Sequence, residues 1–139
     1  LALRQIIAAE SAVTNSNLPA MIGATEPLTA APALLQAARD TASATGVSLL
    51  TGQVFTSDVF YEPTNNAQER HTAAGVLCVE MECAALYAIA ALENSEALAM
   101  FTMTDHLVTG QPLRSDERQQ GVDEMIELAL NTAVRAVQG

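Results

Sequence analysis

The clearest candidates for chemistry in this sequence are two glutamates inside an apolar run. Glu80 and Glu82 follow residues 76–79, whose apolar character is typical of a buried strand. A buried carboxylate is costly unless it meets hydrogen-bond donors, and alternation along a continuing strand would put both acids on one face. Such a carboxylate can accept one hydrogen from each hydroxyl of a vicinal diol. The segment predicts a sugar site; the alternative is that the strand ends at Val79 and both acids begin a helix.

A second group of polar residues follows another apolar run. Thr104, Asp105 and His106 stand at the carboxyl end of a strand that we predict over residues 97–104. A lone Asp at this place often forms an Asx-turn or caps a helix. A lone His is likewise more often structural than catalytic. The residues by themselves therefore leave the role of Asp105 open.

An arginine and an aromatic pair complete the candidates. Arg118 lies in the first turn of the predicted last helix, where a cation is electrostatically disfavoured, so it is expected to face a partner acid unless it is merely exposed. Phe60 and Tyr61 adjoin in a chain with three Phe and two Tyr. One of them can stack on a flat ligand, and the alternative is that Phe60 belongs to the core.

The elements that must position these residues alternate along the chain. We predict strands over 3–9, 47–56 and 97–104 and one that starts at residue 76, with loops over 10–17 and 105–114. Helices are predicted over 33–45, 65–74, 84–92 and 116–137, the last capped by Ser115. Such alternation indicates an α/β fold with a largely parallel sheet. Ligands bind at the carboxyl ends of strands in such sheets, which selects residues 11–17, 57–61, 80–82 and 104–106.

Composition narrows the function classes. The 139 residues favour a single domain, half of them are hydrophobic, and the net charge is −10 without any Lys, which argues against nucleic-acid binding. No apolar run is long enough to span a membrane. Cys78 and Cys83 are expected to be free thiols of a cytoplasmic protein rather than metal ligands. The chain begins Leu1-Ala2-Leu3-Arg4, without Met, so we expect further sequence upstream.

Several runs together resemble the nucleoside phosphorylase superfamily and, within it, the bacterial hexameric purine nucleoside phosphorylases. The similarity extends over essentially the whole chain, and Asp105-His106 with Glu117-Arg118 narrows it to the purine enzymes. The matching runs are Leu3-Arg4-Gln5-Ile6-Ile7, Thr14-Asn15-Ser16, Phe55-Thr56-Ser57-Asp58-Val59-Phe60-Tyr61, Val79-Glu80-Met81-Glu82-Cys83-Ala84-Ala85, Thr104-Asp105-His106 and Glu117-Arg118-Gln119.

The resemblance implies a three-layer α/β/α fold with a mixed, largely parallel sheet, of which residues 1–139 form the C-terminal part. It implies reversible phosphorolysis of purine nucleosides to free base and ribose 1-phosphate, without metal or organic cofactor, in a homo-oligomer, a hexamer built from dimers. The resemblance implies that Glu82 holds the ribose hydroxyls and that Met81 packs on the sugar. It implies that Phe60 stacks on the base, that Val79 and Glu80 line the base pocket, and that Tyr61 and Thr104 contact substrate. It also implies that Asp105 protonates purine N7 and that Arg118 assists Asp105.

The sequence also departs from the family pattern. Thr104 stands where Ser is common, and Cys83 where Ala is frequent. The Gly-rich phosphate loop and the phosphate-binding arginines of the family are missing, so this chain alone is expected to be inactive. A nucleosidase, which uses water instead of phosphate, and a uridine phosphorylase remain alternatives within the superfamily. A non-catalytic α/β binding domain is the alternative outside it.

Overall fold

The computed structural model describes residues 2–61, 71–106, 111–112 and 114–139. Within these ranges strands and helices alternate as an α/β fold requires. Their bounds are β1 Ile6–Thr14, α1 Leu18–Met21, β2 Leu28–Thr29, α2 Pro32–Thr45, β3 Leu49–Thr56, β4 Val79–Glu80, α3 Cys83–Leu92, β5 Met100–Thr102, β6 Asp105–His106, β7 Gln111–Pro112 and α4 Ser115–Gln138.

The strands confirm the α/β fold with a mixed, largely parallel sheet. Its order is β2-β1-β3-β4, and β5 also pairs with β1. β3 and β4 run parallel, whereas β2 and β5 are antiparallel to β1. β1 is parallel to β3, because Gln5 bonds to Ser48 at one end of the pair and Thr14 bonds to Thr56 at the other. The short strands β6 and β7 form a separate antiparallel pair.

The chain divides into two compact units, and the first comprises Leu1–Ala8, Ala31–Thr51 and Met100–Gly139. Here the start of β1 pairs with β5, and α4 packs on α2 and on β5. Burial of apolar side chains drives this packing. The centre of its core is Ile6, Ala42 and Leu128, with Val47, Leu49, Met100 and Met125 packed around it.

Helix α2 shows how the sequence specifies an element of this unit. Pro32 occupies the first turn, where its missing N–H costs nothing. The small residues Ala38 and Ala42 recur four apart on the buried face. Gly46 ends the helix with φ +73°, a left-handed conformation that glycine adopts without strain. The predicted start and end of this helix are confirmed within one residue.

The second unit comprises Ala9–Ala30 and Gly52–Ala99. The rest of β1 pairs with β2, β4 pairs with β3, and α3 packs on α1 and β2. Tyr87, 2 % exposed, lies at the centre of this unit. Its hydroxyl donates to the Ala9 carbonyl at 2.5 Å and accepts from the Ala99 amide at 3.1 Å, so its one polar atom is satisfied within the core.

Several predicted boundaries are wrong. β1 continues to Thr14 through the loop predicted over 10–17, because its polar residues find partners: Ser11 pairs with Thr29, and its hydroxyl accepts a hydrogen bond from Gln53 at 3.4 Å. β6 and β7 lie within the loop predicted over 105–114. Arg114, not Ser115, precedes the first turn of α4, and its amide is capped by Glu117.

Two further observations concern the sequence predictions. The helix predicted over 65–74 lies largely outside the described residues. Among the helices that the structure describes, none combines the length and the apolar character that crossing a membrane requires.

Candidate functional site

Glu80 is a buried carboxylate with both oxygens engaged inside the protein. One oxygen accepts the amide hydrogens of Glu82 and Cys83, each at 2.7 Å. The other accepts a hydrogen bond from the Thr56 hydroxyl. The parallel register of β3 and β4 sets Thr56 opposite Glu80, so the two side chains meet. Only 9 % of Glu80 is exposed, and these donors offset the cost of burying its carboxylate.

Thr56 extends this network to the next residue of α3. Its hydroxyl oxygen accepts the amide hydrogen of Ala84 at 2.9 Å while its proton goes to Glu80. The first amides of a helix have no partner within the helix, and its N-terminus favours negative charge. Side chains at the ends of β3 and β4 thus cap three consecutive amides at the start of α3.

The two glutamates do not share a strand face, because the strand ends at Glu80. Met81 and Glu82 form a bend, and α3 begins at Cys83. Glu80 is buried, whereas Glu82 is exposed and Met81 is 39 % exposed. The alternative of a helix start is therefore closer to the structure than an extended strand is. Glu82 is nonetheless the carboxylate that stays accessible to a ligand.

Hydrogen bonds connect the loop after β1 to the loop after β3, next to the network around Glu80. Asn15 donates to the Ser57 hydroxyl at 3.3 Å and accepts the amide hydrogen of Asp58 at 2.9 Å. The Ser57 amide donates to the Glu80 carbonyl at 2.8 Å. The second unit thus brings together three of the four strand ends that the sequence selected, those at residues 11–17, 57–61 and 80–82.

The aromatic pair lies in the loop that follows β3. Phe60 is 76 % exposed and Tyr61 is 83 % exposed, with ring centroids 4.8 Å apart and planes nearly perpendicular. Exposure on this scale excludes the alternative that Phe60 belongs to the core of this chain. Val79, 39 % exposed, adds a further accessible apolar side chain next to Glu80. Accessible aromatic and apolar groups and an accessible carboxylate on connected strand ends suit a ligand that joins a flat ring to a polyol.

The two thiols near Glu80 are unsuited to nucleophilic chemistry. Burial, and after it the negative charge of Glu80, raises the pKa of both Cys78 and Cys83 to about 12. A thiol must lose its proton to become a nucleophile or a metal ligand. Over the described parts of the chain, no three residues among His, Cys, Asp and Glu are grouped as a metal would need.

The fourth strand end, residues 104–106, belongs to the first unit. The backbone of Asp105 pairs with Pro112 in the short β6–β7 ladder, while the side chains of Asp105 and His106 lie outside the described part of the structure. Thr104 is half-buried, and Arg118 is exposed in the first turn of α4. The contact expected between Asp105 and Arg118 stays a prediction.

Sequence reasoning included Asn15 in the selected residues 11–17 without giving it a role, and it left Thr56 outside the selected strand ends. Thr56 binds Glu80, and Asn15 fixes the loop that leads to Phe60. Each is a polar residue at or next to the carboxyl end of a strand, which is the available signal. That signal does not identify hydrogen-bond partners, because those depend on the register of neighbouring strands.

Comparison with known proteins relates these features to a family. A model of the Phosphorylase superfamily matches residues 6–138. The chain is 42 % identical over 135 residues to purine nucleoside phosphorylase DeoD-type from Geobacillus kaustophilus, covering 96 % of this chain and 57 % of that protein. It is 41 % identical over 133 residues to the protein of the same name from Myxococcus xanthus, covering 94 % and 56 %. The chain thus spans little more than half the length of these relatives.

Proposed function

Because the chain belongs to the phosphorylase superfamily, we propose that it is the C-terminal part of a purine nucleoside phosphorylase. The proposed reaction is reversible phosphorolysis of purine ribonucleosides or deoxyribonucleosides to the free base and the (deoxy)ribose 1-phosphate. Two curated relatives at 41 % and 42 % identity carry that name, and they support the assignment of the purine reaction.

The observation that carries the proposal is the difference between the two glutamates. Glu80 is buried with both carboxylate oxygens hydrogen-bonded, whereas Glu82 is exposed immediately before α3. In the proposed complex the Glu82 carboxylate accepts the ribose hydroxyl hydrogens, and Met81 packs against the sugar. Phe60 stacks on the purine, with Tyr61 and Val79 as further contacts. The Glu80 carboxylate is occupied by donors of the protein itself, so in this proposal Glu80 lines the base pocket through its backbone alone.

The proposed chemistry also needs an acid. Cleavage of the glycosidic bond leaves negative charge on the purine and positive charge on the sugar. In this proposal Asp105 protonates N7, so that the base departs as a neutral molecule. Arg118 assists that proton transfer, and Thr104 contacts the substrate. A free Asp has a pKa of about 3.9, so the complete site must raise the pKa of Asp105 for it to donate near neutral pH.

The rest of the proposal concerns what this chain lacks. Inorganic phosphate is the co-substrate, and no metal or organic cofactor takes part. The chain covers 57 % of the Geobacillus kaustophilus relative, and we propose that the phosphate-binding residues belong to the portion of the full-length protein outside that match. We further propose a cytoplasmic homo-oligomer, a hexamer built from dimers, whose neighbouring subunits complete each site.

The test is phosphate dependence of the full-length protein. With inosine, we expect hypoxanthine and ribose 1-phosphate in equal amounts, and no turnover without phosphate. The 139-residue chain alone is expected to be inactive. Release of free ribose without phosphate would establish the nucleosidase alternative, and cleavage of uridine in preference to inosine would establish the uridine phosphorylase.

A further inference from the structure

We infer that Glu80 is a positioning residue that acts through the backbone of Glu82, rather than a residue that contacts the purine. This inference rests on the proposed function, because it assigns Glu82 to the sugar. It goes beyond the prediction that Glu80 lines the base pocket, because it gives the Glu80 side chain a role away from the base. The supporting geometry lies entirely within the second unit.

The first argument is the direction of the Glu80 side chain. Its carboxylate accepts hydrogen bonds from the amides of Glu82 and Cys83 and from the Thr56 hydroxyl. Three donors at one carboxylate satisfy most of its accepting capacity. A purine that bound to the Glu80 carboxylate would have to break hydrogen bonds that fix the start of α3.

The second argument concerns the conformation that these bonds fix. Glu82 has φ −131° and ψ −24°, a conformation outside the helix, and α3 begins with the next residue. The direction of its side chain therefore depends on the bend at residues 81–82, not on helix geometry. The Glu80 carboxylate stabilises that bend by accepting a hydrogen bond from the Glu82 amide, two residues further along the chain. A carboxylate that must meet two hydroxyls of one ring loses binding when such a bend shifts.

The third argument is the support beneath Glu80. Thr56 is 3 % exposed and cannot reach a ligand, yet it bonds to both Glu80 and the Ala84 amide. The Ser57 amide fixes the Glu80 carbonyl at 2.8 Å. Glu80 is thus held from β3 on one side and holds α3 on the other, which is the arrangement of a supporting residue.

The test is a double-mutant cycle on the full-length protein, with kcat/KM for inosine and adenosine. Glu80→Gln keeps the side-chain shape but replaces one accepting oxygen by a donor. We expect a loss of ~30-fold that is the same for both nucleosides, because they differ only on the base. In a Glu82→Gln background the same change should cost less than ~3-fold, because coupled residues are not additive. Glu93→Gln, at the exposed end of α3, is the matched control.

One further measurement does not depend on turnover, and one further variant repeats the kinetic test. Amide hydrogen exchange at Glu82 and Cys83 should quicken at least ~10-fold in Glu80→Gln, while the amide of Ala88 in the middle of α3 stays protected. Thr56→Val, at a residue too buried to contact substrate, should reproduce the loss with the same indifference to the base. Thr56→Val also tests the inference if Glu80→Gln does not fold.

Three results would overturn the inference: a loss that depends on the purine, a loss that is additive with Glu82→Gln, or unchanged exchange at Glu82 and Cys83. Absence of phosphorolysis in the unmutated protein would instead overturn the proposed function. The exchange measurement would still decide whether Glu80 holds the bend.

Discussion

At the scale of single residues, Glu80 and Glu82 show how neighbouring groups of one type divide their tasks. The Glu80 carboxylate is buried and accepts hydrogen bonds from three donors of the protein, whereas Glu82 is exposed and accessible to a ligand. The difference arises from the bend that follows β4, since a continuing strand would have turned both carboxylates to one side. The chemistry of the proposed site is therefore decided by where a two-residue strand ends.

Replacing Glu82 by Gln should remove most of the sugar recognition. Each hydrogen bond to a carboxylate is worth ~1.5–3 kcal/mol, so two of them predict a fall in kcat/KM for inosine of at least ~100-fold. For 2′-deoxyinosine, which has one of the two hydroxyls, we expect a loss of ~10-fold. Steady-state kinetics on the full-length protein measure both values, with Glu93→Gln as the control. Equal losses on the two substrates would exclude a diol contact.

Replacing Asp105 by Asn should abolish proton donation while binding is kept. We expect turnover of inosine to fall by ~10²–10⁴-fold, the usual range for a general acid, with little change in the dissociation constant. A nucleoside already methylated at N7 needs no proton, so its cleavage should be nearly unaffected. Asp116→Asn, in the first turn of α4, is the matched control. Equal losses on both nucleosides would argue against N7 as the protonated atom.

At the scale of elements, α3 depends on side chains that lie outside it. Its first turn contains no acidic residue and its preceding residue makes no side-chain cap, so Glu80 and Thr56 supply the acceptors that its amides need. The buried hydroxyl of Tyr87 ties the middle of α3 to Ala9 of β1 and to Ala99. The helix is thus fixed at two places by hydrogen bonds as well as by apolar packing.

Thr56→Val tests the first of these attachments. The two side chains have nearly the same shape, but Val leaves a Glu80 oxygen and the Ala84 amide without their partner. Loss of both hydrogen bonds should lower the free energy of unfolding by ~2–4 kcal/mol. Thr56→Ser keeps the hydroxyl and loses one methyl group, so it should cost ~1 kcal/mol. Urea unfolding compares the two; equal destabilisation would mean that the methyl, not the hydroxyl, matters.

At the scale of the whole molecule, the raised pKa values predict sensitivity to alkali. The folded protein holds the pKa of Cys78 and Cys83 at about 12, against 9.0 for an ordinary thiol. Folding therefore favours the protonated thiols. Their contribution to stability is complete below pH 9 and is lost as the pH rises from about 9 towards 12. Burial also raises the pKa of Tyr87, which adds to the effect in the same direction.

Unfolding measured in urea from pH 7 to 10.5 checks this expectation. We expect a constant free energy of unfolding up to about pH 9, the ordinary pKa of the thiols, and a decline above it. In the double variant Cys78→Ala/Cys83→Ala the decline should be shallower, because Tyr87 alone remains of the three. The same slope in both proteins would show that the thiols do not contribute. Rapid alkylation of either thiol at pH 8 would contradict the raised pKa values themselves.

The sequence by itself determined the kind of fold and the segments that carry chemistry. Hydrophobic periodicity and a terminal glycine located α2, because these signals are local and Gly46 has the left-handed backbone that ends a helix. Glu80 and Glu82 were selected because carboxylates are unusual in a buried apolar run, and the aromatic pair because the chain has only three Phe and two Tyr. Sequence reasoning also selected three strand ends that the second unit brings together.

The tertiary structure decided which of these side chains are free. Register between β3 and β4 set Thr56 against Glu80, and no local pattern encodes the pairing of residues 24 positions apart. The polar end of β1 became strand because Ser11 found partners across the sheet. Exposure and hydrogen bonding depend on such distant contacts, so the sequence could name both glutamates as candidates but could not show that Glu80 is buried and Glu82 is exposed.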